Sequence, residues 1–201
     1  MKIEWFGHSC FRINDSLVID PYQDESVPGY PLLRLSASRA IYSHQHADHY
    51  GIDCITIIPN DGADFQITEI PSWHDNQHGA LRGPNTIHII EHEGLRVAHL
   101  GDLGCELNAE QKKLLQNLDI LMIPIGGFYT IDAKQAAVIV GELSPKCTIP
   151  MHYRGDNFGY DELGTVDLFT KYFNEAEIKT VGHILELDSD LPKVAVIDFP
   201  R

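Results

Sequence analysis

Short apolar runs with alternating partners open the chain. Lys2–Phe6, Phe11–Ile13 and Leu17–Ile19 predict a strand meander, which Asp20-Pro21 terminates. Pro28 to Leu35, with Gly29 and Pro31, reads as a loop, and Arg39–Tyr42 as a short strand. Further strands are predicted at Cys54–Ile58, Phe65–Ile70, Thr86–Glu91 and Arg96–Leu100. A helix is predicted over Asn108–Asn117, where Asn108 and Gln111 have capping-box spacing. The pattern then becomes β-α-β-α-β. Ile120–Ile123 is a strand, and Asp132–Leu143 a helix with Ala133, Ala136, Ala137 and Val140 along one face. Cys147–Pro150 is a strand, Val166–Phe173 a helix that Thr165 could cap, and Val181–Leu187 and Val194–Phe199 are closing strands. Strands in runs at both ends, with helices after them, predict two packed sheets with helices outside.

At 201 residues the expectation is one domain over residues 1–201, large enough to bury about 70% of its unfolded surface without a disulfide or metal to staple it. A metal site in such a chain serves something other than folding. The formal net charge of −14 argues against a nucleic-acid or anionic-membrane partner, since neither polyanion is attracted from a distance. No secretory signal is recognisable in MKIEWFGHSCF, and the longest apolar stretch, Leu118 to Ile125, is far short of the roughly 20 residues of a membrane span. Cys10, Cys54, Cys105 and Cys147 are scattered, which suits reduced thiols and a cytoplasmic location. The oligomeric state is left open by the sequence, a homo-oligomer included.

The 11 histidines change the picture. His44-Gln-His46-Ala-Asp48-His49 places four metal-type ligands in six residues. In extended chain His44 and His46 point the same way, and Asp48 and His49 follow where the strand ends. So many ligands on so short a segment would strain one tetrahedral ion, so two adjacent ions are the better reading. The remaining ligands should come from other strand ends. His74 follows the run Ile67–Trp73, Asp102 ends Arg96–Asp102 behind Gly101, and His152 ends Thr148–His152. Each is weak alone; three strand ends that each deliver a His or Asp are not.

These residues resemble the signature of the metallo-β-lactamase superfamily, with His74, Asp102 and His152 in the expected order. The opening Trp5-Phe-Gly-His8-Ser-Cys-Phe, the Gly101-Asp102 pair, and Ile123–Thr130 leading to Pro150-Met-His152-Tyr resemble the branch of ascorbate-phosphate lactonase and its cytosolic relatives. The resemblance implies a four-layer αβ/βα sandwich. It puts His44, His46 and His74 on one ion and Asp48, His49 and His152 on the other, with Asp102 bridging. Di-iron flavoproteins of this fold carry Glu where His46 stands, so His46 implies hydrolysis and not oxygen chemistry.

The donor chemistry points the same way. His/carboxylate sites leave room for water, whereas structural zinc sites favour closed Cys-rich shells. The ions expected are two divalent cations, Zn2+ first, with Mn2+ and Fe2+ compatible. A hydroxide shared by two such ions is the expected nucleophile, and Asp48 could orient it and pass a proton to the leaving group. Two ions, two carboxylates and a hydroxide leave about one net positive charge, which favours a small anionic ester, lactone or amide. A phosphodiesterase using the same ions and a non-catalytic metal-binding protein are the alternatives.

Other residues are weighed on their surroundings. His78 could replace His74 as ligand or act as proton donor, and otherwise is a loop residue. His8 could sit near the metals, as the branch resemblance implies, or be a turn histidine. His99 is expected to be buried or to sit behind the ligands. Arg154 and Arg82 are candidate anion clamps, weighed against plain surface arginines. Tyr129 and Thr130 line a Gly-rich loop and could contact substrate.

Overall fold

The structure, a computed structural model, describes residues 1–59, 64–187 and 190–199. The meander forms as its alternation predicts. Strands β1 (Lys2–Gly7), β2 (Cys10–Ile13) and β3 (Leu17–Ile19) pair antiparallel, with Phe11 opposite Trp5 and Ile19. Successive side chains leave opposite faces of a strand. Phe11, Ile13, Leu17 and Ile19 therefore join Ile3 and Trp5 in the main core, while Cys10 and Val18 face a second cluster around Tyr22, Val27 and Leu33. The end of the predicted Pro28–Leu35 loop carries a strand, β4 (Leu35–Ala37), followed by β5 (Arg39–Ile41). A 3-10 turn takes Ile52–Cys54, so β6 is only Ile55–Ile57; it pairs with β4 in a two-stranded ribbon.

The second sheet is built from β7 (Gln66–Trp73), β8 (Pro84–His92) and β9 (Leu95–His99), then β10 (Ile120–Pro124) and β11 (Cys147–Met151). Helix α1 (Ala109–Leu114) has the predicted box, Asn108 accepting from the Gln111 amide and the Gln111 side chain from the Asn108 amide. Helix α2 (Ala133–Leu143) crosses between the parallel β10 and β11 and buries Ala133, Ala136, Ile139, Val140 and Leu143. Helix α3 is only Asp167–Thr170, and Thr165 does not cap it. The N-cap position is Val166, which has no acceptor, and Thr165 bridges backbone to backbone with Arg154 instead. The predicted strand Val181–Leu187 contains the strand Ile184–Glu186 and touches only the last residue of a further strand that begins at Ile178. Strand β12 (Ile178–Val181) pairs with β14 (Val194–Ile197), while β13 (Ile184–Glu186), past Gly182-His183, crosses to β1 on the other sheet. An alternating run carries no mark of which sheet it joins.

The strand orders are β13-β1-β2-β3-β5 and β12-β14-β11-β10-β9-β8-β7. Side chains of both, among them Trp5, Phe11, Ile87, Ile89, Val97 and Met122, form one core. Each fully buried aliphatic or aromatic contributes about 1.5–3 kcal/mol relative to exposure. This is the sandwich expected from the sequence. Among the described residues no helix is long and apolar enough to cross a membrane, and all four cysteines are unpaired.

Sheet direction places the chemistry. Strands β7 and β9 both run antiparallel to β8, and β10 and β11 run parallel to β9. The C-terminal ends of β7, β9, β10 and β11 therefore share one edge. His74, Asp102, the 126–130 loop and His152 all leave the sheet there. From the other sheet β5, parallel to β3, delivers the His44–His49 segment.

Candidate metal centre

The strand ends converge on Asp102. Its Oδ2 lies 3.2 Å from His74 Nε2, 3.2 Å from His152 Nε2 and 3.9 Å from His44 Nε2, and its Oδ1 lies 3.1 Å from His49 Nε2. Ligand atoms of His44, His46 and His74 fall within 4.8 Å of one another, as do those of His8, Asp48, His49 and His152. Close backbone approach permits this. Gly101 is left-handed (φ 54°), and a Cβ there would stand 2.4 Å from both Ser43 Cβ and Asn85 Oδ1. His8 and His152 are themselves left-handed (φ 51° and 53°), tied by the His152 amide donating to the His8 carbonyl. Such conformations cost about 1 kcal/mol or more each and persist where the surroundings enforce them.

Several of these atoms are buried without a partner. His44 Nε2, His49 Nε2, His152 Nε2 and Asp102 Oδ1 approach one another yet are not aligned as hydrogen bonds. Buried nitrogens and oxygens left this way are costly unless something satisfies them. Imidazoles and carboxylates converging in this way are the donor set of a divalent cation, and the residues fit that group.

Behind the cluster sits Asp20, which the sequence reading took only as a strand terminator. It is fully buried, accepts from His49 Nδ1 at 2.8 Å and from the Ser43 amide and hydroxyl at 2.5 and 2.6 Å, and lies 3.9 Å from His99 Nδ1. With Nδ1 engaged, the Nε2 of His49 is turned toward Asp102. Burial alone would raise the pKa of Asp20; the His49 ring outweighs it and holds the carboxyl below its ordinary range. Burial likewise opposes charge on Asp102, yet His152 and His49 hold it ionised. His44 is pushed down to about 3 and His8 to about 4, in both cases chiefly by burial, so their rings are neutral.

The structure does not gather every candidate. His8 joins the cluster, buried, with Nε2 3.3 Å from Asp48 Oδ2. His78 does not: it is exposed on the 75–82 loop, edge-on to Trp73, and no group of clustered ligands includes it. Arg154 does not line the cavity over the cluster. Its Nε donates to the Leu163 carbonyl at 2.7 Å, and it lines a separate cavity with Tyr153 and Phe158. His99 is fully buried behind the cluster, as expected. A cavity of about 330 Å3 opens on the cluster, lined by His46, Asp48, His74 and Asp102 together with Arg82, Tyr129 and Tyr160.

The family model for the beta-lactamase superfamily domain matches residues 2–152. The chain belongs to that superfamily. Among its relatives are a UPF0173 metal-dependent hydrolase of Thermococcus onnurineus, 27% identical over 76% of this chain and 84% of that one, and a UPF0173 protein of Pyrococcus furiosus, 31% identical over 76% and 83%. A crystal structure from Thermotoga maritima, described as a Zn-dependent hydrolase of the metallo-beta-lactamase superfamily, superposes with a TM-score of 0.74 at 33% identity, covering 98% of this chain and 97% of that one. This superfamily member is a metal-dependent hydrolase, and its His/Asp cluster lies at the sheet edge where the chain's strands deliver it.

Proposed function

We propose that the chain hydrolyses a small anionic ester, lactone or amide with two divalent ions. His44, His46 and His74 hold one, Asp48, His49 and His152 the other, and Asp102 lies between. The observation that carries this reading is the set of partnerless ring nitrogens around Asp102 beneath an open cavity. Zn2+ suits the five histidines best, with Mn2+ and Fe2+ compatible with the carboxylates. When bound, such ions supply Lewis acidity and a water acidic enough to ionise near neutral pH.

The chain's own residues do the rest. Asp48, half-buried at the cavity wall, accepts a hydrogen bond from the attacking water and relays a proton toward the leaving group. His8, against Asp48 Oδ2, fixes that carboxylate's orientation. A cavity of about 330 Å3 suits a small molecule, and with a net charge of −14 a long polyanion is disfavoured. Four free thiols favour a reducing, cytoplasmic setting.

Elemental analysis of purified protein and of Asp102→Ala tests the reading. About two ions per chain are expected, falling to one or none in the variant. Wild-type protein should also turn over members of a panel of lactones, esters and phosphodiesters. An ion count of zero or one, unmoved by the substitution, would remove the chemical basis of the proposal.

A further inference from the structure

The metal cavity is flanked by a second cavity of about 490 Å3, and Arg82 and Tyr129 line both. At this shared wall the Arg82 guanidinium lies over the Tyr129 ring, 5.6 Å from its centre. Four arginines are half-buried among the described residues. Arg12 pairs with Glu4, Arg96 pairs with Glu91, and Arg154 is bonded to the Leu163 carbonyl. Among the described residues the Arg82 guanidinium has no carboxylate or carbonyl partner, in a chain with 29 acidic residues.

Its own loop explains why. Asp75, the nearest acidic residue in sequence, is buried, and its carboxylate is spent on backbone: Oδ1 accepts from the amides of Gln77 and Gly79, Oδ2 from those of Leu81 and Arg82, at 2.8 to 3.0 Å. The 75–82 loop is thereby wound around one carboxylate. It starts at His74 in the metal cluster and ends at Arg82 facing the same cavity. Tyr160 also lines the cavity, its hydroxyl anchored by donation to the Ser26 carbonyl at 2.6 Å.

A guanidinium placed over a ring and bonded to no carboxylate or carbonyl keeps its donors free, in the fork that matches an oxyanion. We propose that Arg82, seated on Tyr129 at the wall between the two cavities, is the specificity-determining residue that binds a carboxylate or phosphate group of the substrate. The inference deepens the hydrolase reading and rests on it for the word substrate. The scissile group lies over the ion cluster, the oxyanion at Arg82, and any further part of the molecule in the adjoining groove. Glu106 in that groove disfavours a second negative charge there.

Calorimetric titration of metal-loaded protein with phenylacetate, phenylphosphonate and the neutral phenylacetamide tests this without turnover. Wild type should bind the anions more tightly than the amide. Arg82→Gln should weaken the better-bound anion about tenfold or more while changing the amide by less than twofold, and Arg82→Lys should recover part of the loss. A larger loss for phosphonate than for phenylacetate identifies a phosphate site, the reverse a carboxylate site. Equal affinities in wild type and Arg82→Gln, or no preference for anions in wild type, would overturn the proposal. A melting curve on each variant separates lost binding from lost folding. Failure of every ester, lactone and phosphodiester to be hydrolysed would sink the hydrolase reading while leaving the calorimetric result standing.

Discussion

Two buried residues behind the cluster, Asp20 and His99, are held by specific hydrogen bonds. Asp20 fixes His49 through Nδ1, and such outer partners commonly change metal affinity 10–100-fold. Asp20→Asn should weaken metal binding by about that factor in competition with a chromogenic chelator; unchanged affinity would make Asp20 purely a folding residue. His99 accepts the Gly101 amide at Nδ1 and so carries its proton on Nε2, which donates to the Ser9 carbonyl. Both nitrogens are satisfied only in the neutral ring, and burial lowers its pKa. A histidine with a depressed folded pKa binds fewer protons folded than unfolded as pH falls below about 6.5. Its stabilising contribution is therefore complete above that pH and lost on acidification. From pH 7.5 to 5.5 the loss from this residue can reach about 1.4 kcal/mol, the ceiling set by an unfolded pKa near 6.5. Denaturation midpoints of His99→Asn should show a shallower pH dependence than wild type, and parallel curves would reject the locked tautomer. The His44–His49 run was legible because all its ligands are local in sequence. Asp20 was not, since it meets His49 across 29 residues and its chemistry comes only from burial.

At the scale of elements, the strands were legible wherever alternation or apolar runs set the face, and least where tertiary position decides. Ile178–Val181 and Ile184–Glu186 are separated by only two residues yet join different sheets. The 75–82 loop is a similar case. Nothing in its composition distinguishes Arg82 from Arg154; the difference arises because Asp75 winds the loop and aims one arginine at the cavity, while the other is spent on Leu163. Four amides aimed at Asp75 outweigh its burial and hold its pKa below the ordinary carboxylate value. The folded loop thus favours the ionised form, a contribution present above the unfolded pKa near 4 and lost as pH falls further. Asp75→Asn keeps one acceptor oxygen for four donors. Amide exchange at Gln77, Gly79, Leu81 and Arg82 should accelerate by tenfold or more in this variant, with α2 unaffected. Exchange rates equal to wild type would show that the carboxylate does not organise the loop.

For the whole molecule, fold and metal are separable. The sandwich has its own core running from Ile3 to Ile197, and a chain of this size needs no ion to close it. The metal-free protein should therefore keep its far-ultraviolet circular dichroism at 25 °C, unlike small domains that unfold on chelation. It should nevertheless be less stable. The cluster crowds six histidines and two aspartates at the sheet edge, with buried ring nitrogens that an ion would satisfy, so ligand binding acts on the folded state alone. At free metal about 1,000 times the dissociation constant, mass action stabilises by about 4 kcal/mol. For a domain near 200 residues each kcal/mol moves the midpoint by about 2–4 °C, so chelation should lower Tm by about 10 °C. Restoring Zn2+ should reverse the shift in wild type and much less in Asp102→Ala. A protein that unfolds outright on chelation would mean the core is not self-sufficient. One whose Tm is indifferent to chelator would mean the cluster binds nothing tightly, and the partnerless nitrogens would need another explanation.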